Sequence, residues 1–140
     1  MNMEKSKEQL LVCAAIIEKN GKFLITQRPN DGRSNGGRWE FPGGTVDFGE
    51  DPRACLKREI FEELGVDVVV GEILDCSSNV YHKLEKDRHV VLLGYHCVHQ
   101  KGEIEKKDIL DYKFVTLDEM DDYDITDADL PFISKLKQHS

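Results

Sequence analysis

GGTVDFGEDPRACLKREIFEELGV, residues 43–66, contains the start, the body and the end of one helix. Asp51 is a favoured N-cap, Pro52 suits the first helical position because an N–H is not needed there, and Gly65 can end the helix in a left-handed turn. The reading is a helix from Pro52 to about Leu64. At about 100° per residue, Leu56, Ile60, Phe61 and Leu64 fall in one apolar arc, while Glu59, Glu62 and Glu63 share a separate arc beside it. Like charges three or four positions apart cost roughly 0.2–0.5 kcal/mol per pair, and Arg58 with Glu62 recovers about one such pair. Two readings of the acidic arc stand at this point. It is either a solvated face or a site for a hard divalent cation, for which carboxylate oxygens are suitable donors and whose charge turns repulsion into attraction.

On both sides of this helix lie short apolar and β-rich runs. Residues 10–17 (LLVCAAII) and 22–28 (KFLITQR) read as strands joined by an Asn20-Gly21 turn. PNDGRSNGGR, residues 29–38, reads as a mobile loop that adds Arg33 and Arg38 to the cation Arg28 just before it. WEFPGGTV, residues 39–46, is extended chain broken at Pro42-Gly43-Gly44. Further strands are expected near residues 66–73, 78–82, 88–98 and 112–115, and a last helix from Ala128 or Asp129 to Lys137. No repeat or linker interrupts the pattern. The fold class is α+β: a single domain over residues 10–140, an α/β/α sandwich around a mixed sheet, after a flexible polar N-terminus of residues 1–9.

The composition narrows the function classes. A chain of 140 residues holds one domain, and 39% hydrophobic with 33% charged residues lies outside the disordered regime. With 19 basic and 27 acidic side chains the net charge is −8, which opposes binding to a nucleic-acid polymer or an anionic membrane. A phosphate-bearing ligand would need help from cations. Cys13, Cys55, Cys76 and Cys97 form no CxxC pair, and no secretory signal is seen, so the expectation is reduced thiols and a cytoplasmic location. No apolar run approaches the ~20 residues that span a bilayer.

Gly44, Glu50, Arg58, Glu59, Ile60, Glu62, Glu63, Gly65 and Val66 fit G-x5-E-x7-R-E-U-x-E-E-x-G-U without departure, U being a bulky aliphatic residue. Seven fixed residues match by chance on the order of once in 10⁸ start positions or fewer. This resembles the Nudix box, a loop-helix-loop that binds divalent metal and hydrolyses a nucleoside diphosphate linked to another moiety. The resemblance makes Glu59, Glu62 and Glu63 metal ligands, with the Gly43 carbonyl as a further one, and Glu50 and Arg58 their support. The implied cofactor is Mg²⁺ or Mn²⁺, which would neutralise phosphate charge and activate water.

The resemblance extends over most of the chain and is closest to the MutT-type nucleoside triphosphate diphosphatases, the class that includes 8-oxo-dGTP diphosphatases and CTP pyrophosphohydrolases. LITQRP is similar to the strand that supplies a phosphate-binding arginine, here Arg28. WEFPGG is similar to the entry to the box. DRHVVL places Arg88 against the nucleotide, and ADLPFISKL places Asp129 as reader of the base, where relatives carry asparagine. Asp108 falls where relatives have a loop glutamate that binds metal or acts as base. The implied reaction releases nucleoside monophosphate and pyrophosphate from a small nucleotide, with no polymer or membrane partner, on a monomer or homodimer. An ADP-ribose-type pyrophosphatase is the alternative enzyme, and a silent nucleotide-sensing module the alternative class.

Several residues carry two readings. Trp39 is a sheet-edge or core residue, or a stacking platform for the base. Asp129 is the base reader or merely the N-cap of the last helix; as an ionised acceptor it would favour the amino donors of cytosine or guanine. Arg33 is a solvated cation or a phosphate contact. Of the histidines, only His89 lies near the nucleotide segment. Cys55, on the acidic side of the helix, reads as inert packing.

Overall fold

The computed structural model describes residues 5–32 and 35–139. Its strands are β1 (Ser6–Lys19), β2 (Lys22–Gln27), β3 (Trp39–Glu40), β4 (Gly43–Thr45), β5 (Asp67–His82), β6 (Lys86–Lys101) and β7 (Asp111–Val115). The helices are α1 (Pro52–Leu64) and α2 (Leu130–Gln138), with 3-10 turns at Glu119–Asp122 and Asp127–Asp129. The main sheet order is β3-β2-β1-β6-β5, with β4 also paired to β1 and β7 to β2. β1 and β6 run parallel and the other pairs antiparallel, which gives the expected mixed sheet.

Alternation along β1 builds two cores. Cys13, Ala15 and Ile17 face α1 and pack with Cys55, Leu56, Ile60 and Leu64. Ala14 and Ile16 face α2 and pack with Phe132, Ile133 and Leu136. The result is the α/β/α sandwich, and each large side chain fully buried in it contributes roughly 1.5–3 kcal/mol. α1 is bounded as its sequence implies. The Asp51 side chain accepts from the Ala54 N–H at 3.1 Å, and Gly65 adopts φ 70° while its N–H reaches the Phe61 carbonyl.

Four expectations are corrected. Residues 6–9 are part of β1 and pair with β6 from Ser6↔Lys86 onward, because a parallel neighbour satisfies their backbone despite polar side chains. The two strands expected over residues 66–82 are one, β5, whose register shifts between Val70 and Ile73 and again before Asp75 absorb the break in pattern. On α1, Phe61 is 49% exposed and Cys55 takes its place inside; Lys107 lies over the Phe61 ring at 5.3 Å. Asp129 precedes α2 but makes no side-chain cap. Arg33 lies outside the described residues.

Candidate active site

The split in the sheet creates the site. β3 pairs with β2 through Thr26↔Glu40, and three residues later β4 pairs with β1 through Ala14↔Gly43. Phe41 and Pro42 carry the chain across. Beside this crossing lies a cavity of about 430 Å³, within the range that holds small ligands. Its walls include Arg28, Glu40, Gly43, Glu59, Glu63, Arg88, Asp108 and Asp129.

Spacing on α1 explains which carboxylates enter. Cys55, Glu59 and Glu63 recur every four residues and form one stripe at the margin of the buried face. Cys55 is fully buried, and Glu59 and Glu63 continue from it into the cavity. Glu62 lies on the neighbouring stripe with Arg58, whose Nη1 is 3.2 Å from Glu62 Oε2. The structure thus brings Glu59, Glu63, Gly43 and Asp108 together in the cavity wall, with Glu62 at its outer margin, joined to Glu59 through Arg58 Nη1. Among the described residues no three acidic, histidine or cysteine side chains converge tightly enough to chelate one ion.

Arg58 fastens the box. It meets Glu50 at 2.8 and 3.0 Å and Glu59 at 3.0 Å. That contact holds the Glu50 carboxyl far down, at about 2. Glu59 and Glu63 shift the other way. Burial first, and then the nearby carboxylates of Glu40, Glu59 and Asp108, push Glu63 up to about 9, against one backbone hydrogen bond from Gly43. Burial also raises Glu59, opposed by Arg58. Glu63 is a half-buried acid ringed by like charge, an environment that a bound divalent cation would reverse. A Cβ at Gly44 would collide with the Glu59 carboxylate, so the backbone cradles that side chain. All-oxygen donors and this cradle fit a hard cation.

The remaining candidates divide. Arg28 lines the cavity with Nη1 3.2 Å from Glu40 Oε1. Asp129 is 4% exposed, and its Oδ2 accepts from the Phe41 N–H at 2.8 Å. Burial first, then the charge of Glu40, pushes it up to about 8. The shift favours its protonated form, which can donate as well as accept a hydrogen bond. Trp39 does not line the cavity; it packs edge-on against Tyr123, ring centres 5.2 Å apart, and bridges to Ile125 at the sheet edge. His89 faces away from the cavity and contacts Ser78 at 2.6 Å and Gln9 at 3.0 Å.

Sequence reasoning missed Glu40 and an apolar floor. Leu10 and Val12 on β1 stand beside Val90 and Leu92 on β6, and all four line the cavity. Any strand reading of LLVCAAII puts Leu10 and Val12 on one face, but only the parallel pairing reveals their partners.

A match to the NUDIX domain covers residues 7–136. The chain belongs to the Nudix family. This Nudix chain is 33% identical over 123 residues to a CTP pyrophosphohydrolase of Escherichia coli (strain K12), covering 87% of each. It is 35% identical over 102 residues to an 8-oxo-dGTP diphosphatase of Proteus vulgaris, covering 72% of this chain and 87% of that one. Its fold superposes on the solution structure of the E. coli ORF135 protein with TM-score 0.78 at 31% identity, covering 94% and 91% of the two chains. The protein is therefore a Nudix hydrolase acting on nucleotides. Nudix hydrolases generally depend on divalent metal and take small nucleotide substrates. No helix among the described residues is long and apolar enough to cross a membrane.

Proposed function

We propose that this Nudix hydrolase cleaves a nucleoside triphosphate to nucleoside monophosphate and pyrophosphate. The observation that carries the reading is the joining, in one cavity, of a carboxylate wall at Glu59 and Glu63 to an apolar floor at Leu10, Val12, Val90 and Leu92. The wall suits cation-neutralised phosphates, and the floor suits a flat base. Glu59, Glu62 and Glu63, with the Gly43 carbonyl, would hold Mg²⁺ or Mn²⁺. When bound, the cation neutralises phosphate charge and acidifies water.

The chain's own residues do the rest. Arg28, held by Glu40, binds the polyphosphate and sets its line toward the carboxylates. Arg58 orients Glu59 from one side while the Gly44 backbone holds it from the other. Asp108, beside Glu63 in the cavity wall, is the candidate to take the proton of the attacking water. Asp129 donates its proton to an acceptor on the base while Phe41 fixes its other oxygen. Four free thiols suit work in the cytoplasm.

The test is a hydrolysis screen with Mg²⁺ over canonical and oxidised nucleoside triphosphates, ADP-ribose, NADH and dinucleoside polyphosphates, with product identification. The expected result is highest kcat/KM for a nucleoside triphosphate. A preference for ADP-ribose would favour the alternative enzyme.

A further inference from the structure

Beyond the apolar floor the β1–β6 ladder has one more rung on the cavity face. Leu10 stands beside Val90 and Val12 beside Leu92; two residues earlier, Glu8 stands beside Arg88. Side chains alternate along strands, so Glu8, Leu10 and Val12 share a face with Arg88, Val90 and Leu92. Arg88 lines the cavity with the floor residues. On its other side its register partner in β5 is Tyr81, which lines the cavity too. The guanidinium thus rises between a carboxylate strand and an aromatic strand at the end of the floor.

Glu8 faces two cations: its Oε2 lies 3.0 Å from Lys86 Nζ and its Oε1 lies 3.2 Å from Arg88 Nε. Arg88 Nε is buried and, among the described residues, has no aligned hydrogen-bond partner. The short distance is therefore an attraction between charges, and the Glu8 charge restrains the guanidinium from its Nε side.

We propose that Glu8 is a positioning residue that holds the Arg88 guanidinium at the end of the apolar floor, where its terminal nitrogens meet acceptor atoms of the nucleobase. A guanidinium fork matches paired acceptors on one base edge, and restraint at Nε reduces the rotamer freedom lost when the base binds. The inference rests on the nucleotide reading of the cavity. It gives residues 6–9 a part in specificity as well as in the sheet.

Steady-state kinetics test it with Mg²⁺ and the nucleoside triphosphate that the wild type hydrolyses best. Arg88→Ala should raise KM about 10-fold and Glu8→Gln about 3-fold, each with kcat within about twofold, because both remove ground-state binding. The double variant should be no worse than Arg88→Ala alone, since Glu8 acts through Arg88. Glu8→Asp, which keeps the charge, should fall between wild type and Glu8→Gln. Lys86→Met should leave KM unchanged. An additive double variant, an unchanged KM in Glu8→Gln, or an equal rise in Lys86→Met would overturn the proposal. The clasp also has a readout of its own: the Arg88 Nε–Hε bond should be more ordered by NMR relaxation in wild type than in Glu8→Gln, and equal order would overturn it. An ordered Arg88 without turnover of any nucleoside triphosphate would instead remove the nucleotide reading of the cavity.

Discussion

Arg58 grips Glu50 at two points, Nε to Oε2 at 2.8 Å and Nη2 to Oε1 at 3.0 Å, and the same fork reaches Glu59 at 3.0 Å. One cation therefore joins the loop before α1 to the carboxylates on it. A lysine has a single ammonium and cannot make both contacts at once. Arg58→Lys should lower kcat by roughly 10- to 100-fold while the far-ultraviolet circular dichroism stays unchanged, because the apolar face of α1 is untouched. Kinetics beside a melting curve check this; unchanged kcat would show that Arg58 serves stability alone.

Glu63→Gln removes a half-buried acid that is raised to about 9. Its ionised form is disfavoured in the metal-free fold, so the variant should melt at the same or a higher temperature in chelator. Turnover should nevertheless fall at least about 100-fold, and Mn²⁺ affinity by calorimetry should fall as well. A variant with wild-type turnover would remove Glu63 from the machinery.

Gly44→Ala should lower kcat by about 10-fold or more. The added Cβ meets the Glu59 carboxylate, and that side chain must leave its present position. Since Glu59 is partly reachable by water, the cost should appear in activity more than in melting temperature. The comparison is kcat against Tm, and a loss confined to Tm would refute it.

Asp129 sets a pH dependence whose sign is fixed. Its folded value of about 8 lies above the ordinary carboxyl value of 3.8. The stability it contributes is therefore fully present below about pH 4 and is lost as pH rises toward 8. Asparagine keeps a donor and an acceptor in the same place. The melting temperature of Asp129→Asn minus that of wild type should grow between pH 4 and 8 and then level off. Over the same range wild-type KM should rise near pH 8, while that of Asp129→Asn stays flat. Parallel curves for the two proteins would show that Asp129 is already ionised.

How much of this was legible in the sequence depended on whether the signal was local. Asp51, Pro52 and Gly65 set the limits of α1 through backbone chemistry within a few residues, and they were readable. Phe61 and Cys55 exchanged places because a helical wheel has no knowledge of which arc edge the sheet covers. Glu59, Glu62 and Glu63 were readable as one acidic arc, but it was not readable that Arg58 Nη1 would tie Glu62 to Glu59 while Glu59 and Glu63 enter the cavity wall. The floor of Leu10, Val12, Val90 and Leu92 joins segments about 80 residues apart through parallel pairing, for which period-2 alternation supplies the faces and not the partners. Asp129 was found by motif, yet its proton could not be, because its burial beneath Phe41 arises only in the folded chain.

The central claim, hydrolysis of a nucleoside triphosphate to monophosphate and pyrophosphate with a divalent cation, is tested most directly by turnover in ¹⁸O water with Mg²⁺, followed by mass analysis of both products. The account predicts nucleoside monophosphate and pyrophosphate in equal amounts, one ¹⁸O atom in one of the two, and no turnover in excess chelator. Nucleoside diphosphate and orthophosphate as sole products, or undiminished turnover in chelator, would contradict it.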